Sequence, residues 1–473
     1  MTRLVRQAAL HCAPLLLAVP ALAATPTPDE TAFRGLYREL VEIDTTLSNG
    51  SCTRAAEAMA ARLKAAGFAE ADLQIIAPPE RPKDGALIAT LPGSDKAALP
   101  ILLLAHIDVV EARREDWQRD PFTLVEEDGF FYARGASDDK AMAAVFTDSL
   151  IRFKTSGFKP RRGLKLALTC GEETAETFNS VRWLLDTKPE VLKAAFALNE
   201  GAGGELDASG KPAVLQIQAG EKVYQDFTLE ITNAGGHSSR PVPDNAIYRL
   251  SAALTRFSGY RFPAAFNAAT RGYFEAQSKL VPADAAAAMK AVLANPADPA
   301  ASDTLWKLNP GWNSMLRTTC VATKVDAGHA LNALPQRARA NINCRILPGT
   351  PIDAVRKTIE QQLGDAGITV TPAGEKAVVG PPPPLSAAIL DPVRSIGASI
   401  WPEAVLVPTM STGATDSRFL NAAGIPSYGL SGMFHDAEGS HAHGLDERIR
   451  VKSLLDGRRF LHDVVKAYAL QKG

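Results

Sequence analysis

The stretch Ile101-Leu-Leu-Leu-Ala-His106-Ile-Asp108-Val-Val110 governs how the chain is read. It is an unbroken apolar run ending in a histidine and a carboxylate two positions apart. That is the pattern of a strand buried on both faces. Alternation puts His106 and Asp108 on one face of such a strand. A carboxylate so placed can hold an imidazole in the tautomer and orientation that a metal needs. Taken alone, the run fits an ordinary strand end as well.

Similar runs recur at 164–168 and 195–198, alongside 99–104, with helical patterns at 142–153 and 181–192 between them. Alternating strands and helices predict an α/β fold: a central, mostly parallel sheet with helices on both faces. Upstream, 31–43 and 53–66 read as helices, the second rich in strong helix formers and stopped by Gly67. Residues 122–125 and 130–133 flank Glu126-Glu127-Asp128-Gly129 as a hairpin. From about 223 the texture changes. Residues 224–232, 321–326 and 337–346 alternate apolar and polar as half-exposed strands do, with helices at 245–257 and 351–363. This predicts a small inserted α+β domain over 222–378 between the segments 24–221 and 379–473 of the larger domain. The Ala- and Pro-rich stretch at 258–315 reads as an elaboration of the small domain, and the Pro-rich 370–384 as a linker.

Three further motifs carry acids. Arg134-Gly-Ala-Ser-Asp138-Asp139-Lys140 opens a helix, and a helix cap accounts for one aspartate more easily than for both. Thr169-Cys170-Gly171-Glu172-Glu173 follows a buried run, and Phe196-Ala-Leu-Asn199-Glu200 repeats the design. Acids and an imidazole at strand carboxyl ends stand where open α/β sheets place ligands. Near the C-terminus, His435, His441 and His443 are three of eight histidines and fall within nine residues. Residue chemistry does not choose among them, nor between Asp138 and Asp139, nor between Glu172 and Glu173.

The 473 residues are 46% hydrophobic and 22% charged, enough for a large core, and 51 Lys+Arg against 52 Asp+Glu leave no field for a nucleic-acid backbone or membrane surface. Arg3 and Arg6, an apolar stretch at 13–22 and Ala21-Leu22-Ala23 read as a secretory signal cut after Ala23. The mature chain is then expected outside the cytoplasm, periplasmic or secreted, with no membrane segment. Export permits disulfides among Cys52, Cys170, Cys320 and Cys344, with Cys320 and Cys344 the favoured pair because both fall in predicted strands of the small domain.

The ordered motifs His106-Ile-Asp108, Gly135-Ala-Ser-Asp138-Asp139-Lys140, Gly171-Glu172-Glu173, Asn199-Glu200-Gly201, Gly235-Gly-His237-Ser-Ser-Arg-Pro241 and His443-Gly-Leu-Asp-Glu447 resemble metallopeptidase family M-twenty. That family includes aminoacylase, succinyl-diaminopimelate desuccinylase, glutamate carboxypeptidase and carboxypeptidase S. The resemblance covers nearly the whole mature chain and implies two zinc ions, with cobalt or manganese as substitutes. It implies His106, Asp138, Glu173, Glu200 and His443 as ligands, Asp138 bridging. By the same resemblance Asp108 orients His106, Glu172 is the general base for a metal-activated water, and His237 donates to the oxyanion, from a partner chain in dimeric relatives. Asn332 matches a helper beside the oxyanion, Arg345 the grip on a substrate carboxylate, and Gly413 and Thr415 a loop lining the substrate pocket. Asn199 stands where many relatives carry Asp. The implied activity is cleavage of an amide next to a free carboxylate in a small peptide or N-acyl amino acid. A dipeptidase, or a non-catalytic periplasmic binding protein retaining the fold, are the alternatives, and a homodimer through the inserted domain is the implied assembly.

Overall fold

A computed structural model describes residues 26–174, 177–374 and 376–472. The expected signal at 1–23 lies outside them. Among the described residues no helix is long and apolar enough to cross a membrane.

The strand Ile101–His106 is buried at every position and runs parallel to Leu164–Thr169 on one side and Phe196–Asn199 on the other. Ser427–Gly429 continues the parallel centre beside Phe196–Asn199. Antiparallel neighbours flank it: Ala86–Leu91 pairs with Leu164–Thr169, and Pro212–Glu221 with Ser427–Gly429. The sheet is therefore mixed at its margins, less uniformly parallel than the apolar runs suggested. His106 belongs to the strand itself, so its side chain sits on rigid backbone.

Helices cover both faces. Lys140–Thr155 is buried along its first eleven residues and packs with Pro28–Glu42 and Val451–Leu470 on one face. Ser180–Thr187 covers the other face. The helix expected over 181–192 is broken after Thr187 and resumes as Pro189–Leu192, because the residue before a proline is driven out of the helical region. The hairpin pairs Val125–Glu127 with Phe130–Tyr132. Its turn is Asp128-Gly129 with both φ positive, the two-residue turn that Asp-Gly favours.

The second sheet is antiparallel, ordered Thr319–Ala327, Arg337–Ile346, Val223–Thr232, Thr369–Ala373. Helices Ala246–Ser258 and Ile352–Leu363 close one face over Phe227, Leu229, Ile231 and Ile342. The stretch expected to begin a linker at 370 is instead the fourth strand, with Val370 pointing into this core. The 258–315 segment also departs from expectation. Its helices put Phe274, Met289, Val292 and Leu305 against Val214 and Val407 of the catalytic sheet, so it braces the large sheet as well as extending the small one. At the crossing, buried Lys222 donates to Ser314 O, Arg317 O and Thr319 Oγ1 at 2.9, 2.8 and 2.9 Å, tying that brace to the chain between the domains.

Both cysteine pairs are joined: Cys320–Cys344 across neighbouring strands, and Cys52–Cys170 between the start of helix Cys52–Ala65 and the end of strand Leu164–Thr169.

Candidate metal centre

His106 donates Nδ1–H to the Asp108 carbonyl oxygen, 3.0 Å away, which leaves the Nε2 lone pair for an electrophile. Nε2 lies 3.2 Å from Asp138 Oδ1 and 3.8 Å from Glu200 Oε2. On the other side His443 Nε2 lies 3.2 Å from Asp138 Oδ2 and 2.9 Å from Glu173 Oε1. The two oxygens of Asp138 thus serve two separate donor groups, His106–Asp138–Glu200 and Asp138–Glu173–His443, each spanning at most 4.8 Å. Ligand atoms at about 2.0–2.2 Å from a shared cation fit such spans. A third cluster, Cys52–Asp108–Cys170, offers no such site because its sulfurs are joined to each other.

The backbone makes this geometry. Asp139 stands at the N-cap of helix Lys140–Thr155 but makes no capping bond, and its buried Oδ2 has no hydrogen-bond partner, so the capping explanation fails. Gly171 takes a positive φ where a Cβ would strike Phe178 O; only glycine lets the chain turn Glu172 and Glu173 toward the centre. The Asp108 carboxylate accepts from the Glu172 and Glu173 amides at 3.3 and 3.0 Å and stands 3.7 Å from the His106 ring. Its carbonyl orients the imidazole, while its carboxylate fixes the acidic loop. This differs from the simpler expectation that the carboxylate orients His106.

Electrostatics point the same way. Burial raises the Glu200 and Glu172 carboxyls well above the usual range, and neighbouring acids add to it. Burial opposes charge on His106, yet Glu200, Asp138 and Asp108 raise it well above its ordinary value. Hydrogen bonds that its ring donates to the Asp138 and Glu173 carboxylates raise His443 to about 10. Acids crowded out of water, with Glu200 Oε1 buried and unpartnered, are a site lacking positive charge. The donor set fits cations.

Glu447, the last residue of the His443-Gly-Leu-Asp-Glu447 motif, lies buried between two loops of the site. It accepts from the backbone N–H groups of Gly135, Ser137 and Asp138 at 3.0, 2.8 and 2.9 Å, and from buried Arg134 at 2.8 Å. Arg134 also donates to Gly444 O. The pair binds the Asp138 loop to the His443 loop. The only sequence signal was its place four residues after His443.

The remaining expected site residues fall outside the two donor groups. His237 lies on the short strand Gly236–His237, paired with Ala333–Leu334, and Asn332 immediately precedes the second strand, with Ser238 N–H donating to Asn332 O. The His237 ring is exposed, and Nδ1 accepts from the Ser239 amide. Arg345 is half-buried over the Tyr224 ring, 4.7 Å from its centre. Gly413 N–H donates to Ser411 Oγ. The Thr415 hydroxyl donates to Glu221 and accepts from Asn199 and the Ser417 amide. Fully committed inside the protein, it positions Asn199 and leaves no capacity for the direct substrate contact expected of it.

The model of Peptidase family M20/M25/M40 matches residues 102–467. The chain belongs to this family. The N-fatty-acyl-amino acid synthase/hydrolase of Mus musculus is 28% identical over 394 residues, covering 80% of this chain and 76% of that one. Aminoacylase-1 of Mus musculus is 23% identical over 432 residues, covering 89% and 91%. An M20 family metallo-carboxypeptidase from Sulfolobus solfataricus shares the fold, with a TM-score of 0.66, 18% identity, and coverage of 92% and 99%. Membership of M20 makes the chain a hydrolase of a metal-dependent family.

Proposed function

We propose that the chain is an exported amidohydrolase working with two zinc ions, replaceable by cobalt or manganese. It cleaves small peptides or N-acyl amino acids at the amide next to a free carboxylate. The observation that carries this reading is Asp138, whose two oxygens face two donor groups of matching composition. Bound there, the metals supply a Lewis acid for the amide carbonyl and lower the pKa of water. His106 and Glu200 would hold one ion, Glu173 and His443 the other, with Asp138 between. Glu172, fixed through its amide by Asp108, takes the proton from water and returns it to the leaving amine. His237, on the exposed rim of the inserted domain, would reach the oxyanion from a second copy or by closure. The exposed edge strand Thr319–Ala327, with Val321 and Val325 outward, supports a homodimer.

Arg345 is the proposed carboxylate grip. Arg345→Ala is expected to raise KM for free-carboxylate substrates at least tenfold more than for their amides; equal effects would remove it from that role. Two disulfides support export, which cell fractionation checks. Metal analysis beside hydrolysis of dipeptides and N-acyl amino acids tests the core: two metals per chain with turnover is expected. Fewer than two, or no turnover of either class, overturns it.

A further inference from the structure

The metal centre takes only His443 of the C-terminal trio; of the two it leaves, His435 is the less exposed. It sits on the short strand Phe434–His435, paired with Gly204–Leu206. Glu205 is its partner across the strands and Asp436 its neighbour along the chain, and burial holds its imidazole below the usual range. Among the described residues, no group hydrogen-bonds either ring nitrogen. The ring is half-buried, so its nitrogens are free to pair with water or a ligand.

His435 lines a cleft of about 590 Å³ that begins at Asp138 and Glu200. The glycines opposite make the room. A Cβ on Gly203 would lie about 2.5 Å from Met433 O and 3.6 Å from His435 Cδ2, so any side chain there would push the wall away from the ring. Met142 and Met433 give an adaptable apolar border, while His435 presents its ring nitrogens and Gln216 and Ser431 the capacity left after their bonds to Glu205, Ala202 and Met433. The lining contains no lysine or arginine, but it does contain Glu205 and Asp436. A carboxylate is unwelcome there. The guanidinium groups of Arg345 and Arg418 lie near each other at the domain crossing, outside this cleft.

Resting on the amidohydrolase reading above, we propose that this cleft receives the acyl half of the substrate. We further propose that His435 selects acyl groups that carry hydrogen-bonding atoms, aminoacyl or peptidyl, over a bare hydrocarbon chain. An alkyl chain would strip water from Gln216, Ser431 and His435 and return no hydrogen bond. A peptide amide or α-amino group pairs with them. The substrate carboxylate then points away from the cleft, toward the cationic crossing.

The test uses the zinc-loaded full chain with three substrates sharing one leaving group: glycyl-leucine, N-acetyl-leucine and N-decanoyl-leucine. Wild type is expected to show kcat/KM for glycyl-leucine at least tenfold above N-decanoyl-leucine. His435→Leu is expected to cut glycyl-leucine at least tenfold more than N-decanoyl-leucine, chiefly through KM, and His435→Gln to recover much of the loss. A wild-type preference for N-decanoyl-leucine, or equal losses in His435→Leu, overturns the proposal. Calorimetric binding to Glu172→Ala protein reads the cleft without turnover. If wild type hydrolyses none of the three, the amidohydrolase reading falls. The cleft assignment falls separately if His435→Leu in that background weakens glycyl-leucine no more than N-decanoyl-leucine.

Discussion

The two halves of the metal cradle are built differently. On one side His106 is 2% exposed and ends a strand held between two parallel neighbours, with Glu200 just beyond the next strand. On the other, the His443 side chain is 57% exposed, its residue has φ of 62°, and Glu173 sits in a turn. The first half is fixed by the sheet before any ion arrives. The second depends on loops held by particular hydrogen bonds. Preorganised donors lose less freedom on binding, so the His106 side is expected to hold its ion more tightly. Asp138 joins the halves, and its replacement tests the join. Asp138→Asn is expected to lower metal content on both sides and activity by at least about 10⁴-fold. A variant retaining two metals would break the shared-ligand arrangement.

Glu172 lies beside both halves but in neither donor group. Glu172→Ala is expected to keep two metals per chain and lose about 10²–10⁴-fold in kcat. Near wild-type turnover would remove it as the base, and loss of metal would make it a ligand instead.

The contrast between halves is also the contrast between what sequence reveals and what it hides. Strand ends were legible because burial on both faces demands apolar runs: 101–105 and 196–198 are unbroken, and 164–168 is interrupted only by Lys165. The choice of Asp138, Glu173 and His443 was not a matter of periodicity. It rests on a turn that only Gly171 permits, on an N-cap whose side chain does not cap, and on Glu447, far away in sequence. The helices of 258–315 misled for a related reason. Their Ala-rich faces form helices readily, but a small apolar stripe does not say which sheet it will cover. Likewise Pro372 and Pro381–Pro384 made 370–384 resemble a linker, although Ile368 and Val370 already alternated as an edge strand does.

The exposed half has a specific dependence to probe. Glu447 and Arg134, both buried, tie the Asp138 loop to the His443 loop. Glu447→Gln keeps the shape but removes the charge that Arg134 and three amides share. Metal affinity is expected to fall about 10–100-fold, as with other groups that orient ligands. Stoichiometry in dilute chelator should drop toward one ion, lost from the His443 side. Equal loss of both ions would put the two halves on the same footing.

The buried half has its own brace, and it should respond to pH. The Asn199 amide, one residue before Glu200, donates to Thr415 and Ser417, and Thr415 donates through both its amide and hydroxyl to Glu221 at the domain crossing. An aspartate at 199 has no amide to donate, which accounts for Asn in this network. Burial raises Glu221 to about 8. Between the usual carboxyl value of about 4.5 and that point, the folded chain keeps a proton that the unfolded chain has released. Stability from this group is therefore full below about pH 4.5 and declines as pH rises to 8, on the order of 2–4 kcal/mol over the window. Adjacent Lys222, lowered by burial to about 7, slopes the other way from 7 to its unfolded value of about 10.5. Wild type and Glu221→Gln share that slope, so it cancels in their difference. Glu221→Gln carries no titrating proton, so its melting temperature should gain on wild type steadily from pH 5 to 8. A difference that stays flat would mean that Glu221 is already ionised in the folded chain. The buried half would then rest on the sheet alone, without a protonated acid at the end of its brace.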